Sequence, residues 1–370
     1  MSFAFTEVQE ELRSSAARFC DDKSSSETVR TLMETEDGFD EAVWTQVAEL
    51  GWTGMAIPEE FGGIGFGFVE LSILMEEMGK RLVCAPFFSS VVLGANAILN
   101  AGSDAQRKEH LPGIADGSTR ATLAFVESSG SWEPTASDVT ATEKGGSWLL
   151  DGTKHYVIDG HTATLLVVTA STSDGVALFV VDPSSSGVER TRLDTLDMTR
   201  KQANITFSSA PATLLGSASE GQAALSTTLD QAAAMLAAEM VGGAQWCLDT
   251  SAQFAKDRFQ FGRPIGSFQA IKHKCANMLM DVEMARSTAY YASWSAATAD
   301  EEFPVYACAA KSYCSDAFFK AAAETIQIHG GIGFTWEHDA HLYFRRAKSS
   351  EIYLGDASYH RELLAQRLGV

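Results

Sequence analysis

The residues best placed to do chemistry lie in one run, Arg258-Phe259-Gln260-Phe261-Gly262-Arg263-Pro264-Ile265-Gly266-Ser267-Phe268-Gln269-Ala270-Ile271-Lys272-His273. Arg258 and Arg263 are fixed planar cations, suited to a phosphate or carboxylate. Phe261 and Phe268 can shield a flat ligand from water. A solvated helix–helix connection would use the same residues, so the run alone leaves both readings open. Upstream, Glu239 is the only acid between Asp230 and Asp249, in an otherwise apolar stretch. Glu337-His338-Asp339-Ala340-His341 has metal-ligand types but not the His-Glu-x-x-His order. It has no indicated third ligand, so no metal site is expected.

The elements that must position these residues follow from periodicity. Ala232–Phe254 and Lys274–Ala296 read as long helices, and Gly262, Pro264 and Gly266 break the pattern between them. In the N-terminal third, Thr6 and Gln9 form a capping-box pattern before a helix carrying Val8, Leu12, Ala16, Phe19 and Cys20. Further helices are expected at Phe39–Leu50, Val69–Arg81, Pro86–Asn100 and Asp104–Leu111. Gly51–Gly65 reads as a structural turn, because it lacks the Gly-Lys-Ser/Thr ending of a phosphate loop. From about residue 118 to 218 the pattern changes to short β-branched runs at 122–126, 148–150, 156–158, 165–168 and 177–181. Gly145-Gly146, Asp151-Gly152 and Asp159-Gly160 punctuate them as turns, which predicts an antiparallel sandwich or barrel. The expected class is therefore α+β, with a helical domain over 1–117, a β domain over 118–218 and a helical bundle over 219–370.

Composition narrows the function. The 370 residues are 45% hydrophobic and carry a formal net charge of −20. That argues against non-specific nucleic-acid binding and against an anionic membrane surface. No apolar run of membrane-spanning length and no secretory leader are expected. Cys20, Cys84, Cys247, Cys275, Cys308 and Cys314 are scattered on apolar helical segments. They read as reduced core residues of a cytoplasmic protein.

The string Arg-x-Gln-Phe-Gly-Arg-Pro-Ile-Gly-x-Phe-Gln-Ala-x-x-His at 258–273 resembles the signature of the acyl-CoA dehydrogenase family. So do Pro58-Glu59-Glu60-Phe61-Gly62-Gly63 and Gln327-Ile328-His329-Gly330-Gly331-Ile332-Gly333, and the resemblance covers essentially the whole chain. It implies FAD, an acyl-CoA substrate, an electron-transfer flavoprotein as electron acceptor and a homo- or hetero-tetramer, with fatty-acid or steroid side-chain oxidation as the setting. It assigns Arg258, Phe261, Phe268 and Gln269 to the FAD diphosphate and ring region. It assigns Gln327 and Gly331 to the adenylate half of FAD bound mainly by a neighbouring subunit. In the β domain Val126 stands in a flavin-facing run, Tyr156 replaces a tryptophan lying against the ring, and Ile158 replaces a threonine that bonds flavin N5.

The base is where the chain departs from the pattern. The family's usual glutamate in Ile-Tyr-Glu-Gly-Thr corresponds to Leu354 in Ile352-Tyr353-Leu354-Gly355-Asp356, and the alternative site on the long helix corresponds to Ala232. Glu239, two turns beyond Ala232, and Asp356 are the remaining candidate bases; Glu351 also flanks the empty place. The alternatives to an enzyme complete in itself are a non-catalytic, FAD-supporting subunit of an α2β2 heterotetramer and a flavin oxidase on the same fold.

Overall fold

The computed structural model describes residues 5–133, 135 and 137–370. Helices come first: α1 (Glu7–Lys23), α2 (Ser26–Leu32), α3 (Glu41–Glu49), α4 (Phe68–Lys80), a π-helix over Phe88–Ala95, α5 (Asn96–Ala101) and α6 (Asp104–Ala115). Then come β1 (Ala121–Ala124), β2 (Thr140–Lys144), β3 (Ser147–Ile158), β4 (Leu165–Thr172), β5 (Gly175–Val181), β6 (Val188–Leu193) and β7 (Gln202–Leu215). The chain closes with α7 (Gly221–Asp257), the two-residue strands β8 (Phe259–Gln260) and β9 (Arg263–Pro264), α8 (Gln269–Ala297), α9 (Phe303–His329), α10 (Ala340–Ile352) and α11 (Ala357–Leu368). Among the described residues no helix is long and apolar enough to cross a membrane.

Local chemistry explains several boundaries. The Thr6 hydroxyl accepts from Gln9 N while the Gln9 side chain accepts from Thr6 N, so the expected capping box starts α1. Asp40 caps α3 through the amides of Ala42 and Val43. The stretch expected as one helix over 86–100 divides into the π-helix and α5. Every residue of that π-helix is buried.

Contacts group the chain into two compact units. One holds the residues through Thr31, Phe68–Val83 and Ala233–Val370; the other holds Leu32–Gly67 and Cys84–Ala232. The N-terminal helical segment thus contributes to both. In the first unit the close approach of α4 and α7 depends on two glycines. A Cβ on Gly79 would lie 2.1 Å from Glu239 O, and one on Gly242 would lie 1.9 Å from Glu76 O.

In the second unit β4, β2, β3, β7 and β5 pair in a ring closed by β4–β5, with β1 added beside β4 and β6 beside β7. Most pairs are antiparallel, as expected, while β1–β4 and β2–β4 are parallel. Closure hides most edges, and the interior is filled by residues including Leu150, Val157, Val168, Phe179, Ile205 and Phe207. The runs at 148–150 and 156–158 belong to one strand. Asp151-Gly152 is not a turn: β3 continues through it with a register shift between Leu150 and Gly152.

Candidate active site

The 258–273 run folds as a small projecting hairpin. Phe259 pairs with Pro264 and Gln260 with Arg263, leaving Phe261-Gly262 at the tip with φ of +52° and +78°. Two successive left-handed residues suit a two-residue hairpin, but they favour Asn-Gly over an aromatic side chain. Phe261 is nevertheless there and is 90% exposed. The Arg263 guanidinium lies 4.0 Å from the Phe268 ring centre, and Phe261 meets Phe268 edge-on at 6.1 Å. Arg258 and Gln269 are exposed, and among the described residues no side chain caps the start of α8.

The second glycine cluster presents a similar face. Gln327 is exposed on the last turn of α9. Among the described residues, Cβ atoms built on Gly330 and Gly331 would meet nothing within 4 Å, so the backbone is open to approach. Ile332 is exposed beyond them, and Phe334 is 85% exposed.

In the other unit, Lys154 of β3 pairs with Ile205 and Val157 pairs with Ala203, so His155 and Tyr156 together oppose one residue of β7. That bulge puts Tyr156 at φ +52° with its side chain 48% exposed. A bulky residue held at positive φ stores strain that the surroundings must support. Val126 is buried and its carbonyl accepts from His155 N at 3.0 Å. Ile158 is buried and its carbonyl accepts from the Thr122 hydroxyl at 2.7 Å. Its side chain has no donor.

Both candidate bases have structural work. Glu239 is buried and its Oε1 accepts from Arg346 Nη1 at 3.0 Å, with the two side chains 7% and 4% exposed. Asp356 accepts from Tyr359 N at 2.8 Å and caps α11. Ala232 is fully buried. Leu354 is buried at φ +64°, and the Glu351 carboxylate pairs with Lys348.

Side chains of the Glu337–His341 segment meet protein partners. Asp339 pairs with Arg30 and accepts from Ser26, the His338 ring packs on His329, and the His341 ring stacks on Trp336. Among the described residues no group of three or more His, Cys, Asp or Glu could hold a metal ion.

The buried charges not singled out from sequence include Arg346, Lys154 and Lys311. Lys311 donates to Ser315 Oγ at 3.1 Å, Glu351 O at 3.1 Å and Gly355 O at 2.8 Å. The available signal was a cation in an apolar stretch, as in Ala309-Ala310-Lys311.

Fold and site together define a helix–β–helix protein with a cationic, aromatic rim and an uncovered glycine turn. Models of the acyl-CoA dehydrogenase N-terminal, middle and C-terminal domains match residues 6–118, 122–210 and 219–369. The acyl-CoA dehydrogenase IpdE2 of Mycolicibacterium smegmatis is 34% identical over 351 residues, covering 95% of each chain. The steroid ACAD Tcur3481-Tcur3483, solved as a variant, superposes with a TM-score of 0.90 at 34% identity, covering 98% of each chain. The ChsE4-ChsE5 complex from Mycobacterium tuberculosis gives 0.91 at 28% identity, covering 100% of this chain and 99% of that one. The chain belongs to the acyl-CoA dehydrogenase family.

Proposed function

We propose that this chain is the supporting subunit of an acyl-CoA dehydrogenase assembled from two kinds of chain: it helps hold FAD, and the partner supplies the base. The observation that carries this reading is the state of the acids. Leu354 fills the family's base position, while Glu239 is committed to Arg346 and Asp356 to the cap of α11. The names of two similar structures, Tcur3481-Tcur3483 and ChsE4-ChsE5, each join two components, which supports a hetero-oligomer.

The residues present fit a flavin. Arg258 is an exposed cation for the diphosphate, and Phe261 and Phe268 are rings for its flat portion. Gln269, Gln327 and the uncovered Gly331 offer polar and backbone contacts, and in the other unit the bulge offers the exposed Tyr156 ring. A bound flavin would supply the hydride acceptor for Cβ of the acyl thioester. This chain's part is to bind, orient and exclude water; an electron-transfer flavoprotein would take the electrons onward. The α-proton has no acceptor at Leu354.

The test is native mass, flavin content and anaerobic titration with acyl-CoAs of several lengths and one steroid thioester, for the chain alone and with its partner. The expected result is a chain that is colourless or unreactive alone and gains flavin and bleaching in the complex. A yellow homo-oligomer that bleaches on its own would overturn the proposal.

A further inference from the structure

The β domain buries an ammonium on β3. Lys154 is fully buried on β3. Its Nζ donates to Glu127 and, at 2.8 Å, to Ser137 Oγ. A buried charge costs several kcal/mol even when paired, and an apolar replacement of similar volume is often neutral or stabilising. The location supplies a reason to keep it. Lys154 is the last regularly paired residue before the bulge that carries Tyr156. Glu127 follows Val126, whose carbonyl accepts from His155 N. Ser137 is held in turn by Ser171, whose hydroxyl donates to Ser137 O at 2.7 Å. One ammonium therefore ties together β3, the chain leaving β1 and the chain entering β2.

We propose that Lys154 is a positioning residue whose bonds to Glu127 and Ser137 fix the left-handed bulge that presents Tyr156, and the adjoining Val126 backbone, to the flavin. This rests on the flavin reading above. The charged groups that face the ammonium are Glu127 and Asp138. Burial pushes Lys154 down to about 8, partly offset by Glu127. The clasp therefore loses its charge as pH rises through about 8.

The test uses the full chain with its partner, FAD titration, and hydrogen exchange of the His155 amide corrected for the intrinsic rate. Lys154→Met is expected to weaken FAD about tenfold and to speed His155 exchange by a similar factor, as losing a charge-assisted bond implies. The wild-type FAD affinity is expected to fall as pH rises through about 8; that of Lys154→Met is expected to be weak and flat. Lys154→Met/Glu127→Leu removes both charges and is expected to regain thermal stability without regaining FAD affinity. Should Lys154→Met fail to fold, Glu127→Gln, which keeps an acceptor, is expected to show the same change in smaller measure. Unchanged FAD binding in these variants, or recovery of both stability and affinity in the double variant, would reduce the pair to core filling and overturn the proposal. A wild-type complex that holds no flavin would overturn the flavin reading, and with it the proposed role, while His155 exchange still reported whether the clasp exists.

Discussion

Glu239→Gln separates a base from a brace. Glu239 on α7 and Arg346 on α10 are both buried and bonded at 3.0 Å. Seven residues along α7 from Glu239, Trp246 stacks on Tyr343 of α10 with ring centres 3.6 Å apart and planes within 4°. The pair and the stack thus fasten the same two helices. Removing one partner of a buried pair leaves the other charge uncompensated, which costs about 3–5 kcal/mol; glutamine keeps an acceptor, so about 3 kcal/mol is expected. Arg346→Met should cost a similar amount. The double variant should be less destabilised than the sum, with a coupling of at least about 1 kcal/mol, because the pair is lost only once. Urea unfolding followed by tryptophan fluorescence reads these differences, and anaerobic reduction by acyl-CoA is measured on the folded complex. A Glu239→Gln protein that stays within about 0.5 kcal/mol of the wild type while flavin reduction stops would refute the brace, since that combination describes a base.

Further predictions test other parts of the structure. Gly242→Ala puts a Cβ 1.9 Å from Glu76 O, so α4 and α7 must separate; a loss of roughly 1–3 kcal/mol is expected in urea unfolding. Lys311 carries a pH signature: burial pushes its pKa from 10.5 down to about 7. The unfolded chain then binds the extra proton between those values, so stability relative to Lys311→Met should rise from about pH 7 toward 10.5 and be lost as pH falls through 7. Urea midpoints of the two proteins across that range check the sign. Phe261→Asn suits the left-handed tip, so the chain alone should be as stable or up to about 1 kcal/mol more stable. Flavin content of the complex should nevertheless fall, because the exposed ring is lost.

What the sequence made legible was local or motif-borne. The Thr6–Gln9 box lies within one turn, so reading it needed no tertiary knowledge. Asp151-Gly152 has the composition of a turn, yet β3 runs through it. Its pairing with β7 overrides the local preference, with Ser209 N donating to the Asp151 carboxylate at 2.7 Å. Phe261, Phe268, Gln327 and Gly331 were named from motifs, and the exposure of Phe261, Gln327 and Gly331 was not visible in composition. The partners of the buried charges were beyond reach for a simple reason: Glu239 and Arg346 are 107 residues apart, and Lys311 and Gly355 are 44 apart.

The turn at Leu354 shows why a motif can outlive its chemistry. The Leu354 carbonyl accepts from His360 Nε2 at 2.8 Å. Burial, aided by Lys311, pushes that ring down to about 3, so it is neutral near pH 7 and its Nε2–H is the donor. Lys311 holds the carbonyls on either side, Glu351 O and Gly355 O. All three bonds go to the backbone and none to the side chain at 354. The positive φ at Leu354 is therefore imposed from Lys311 and His360. A glutamate can give way to leucine there without releasing the turn, which leaves the family's frame readable around a position that no longer takes a proton.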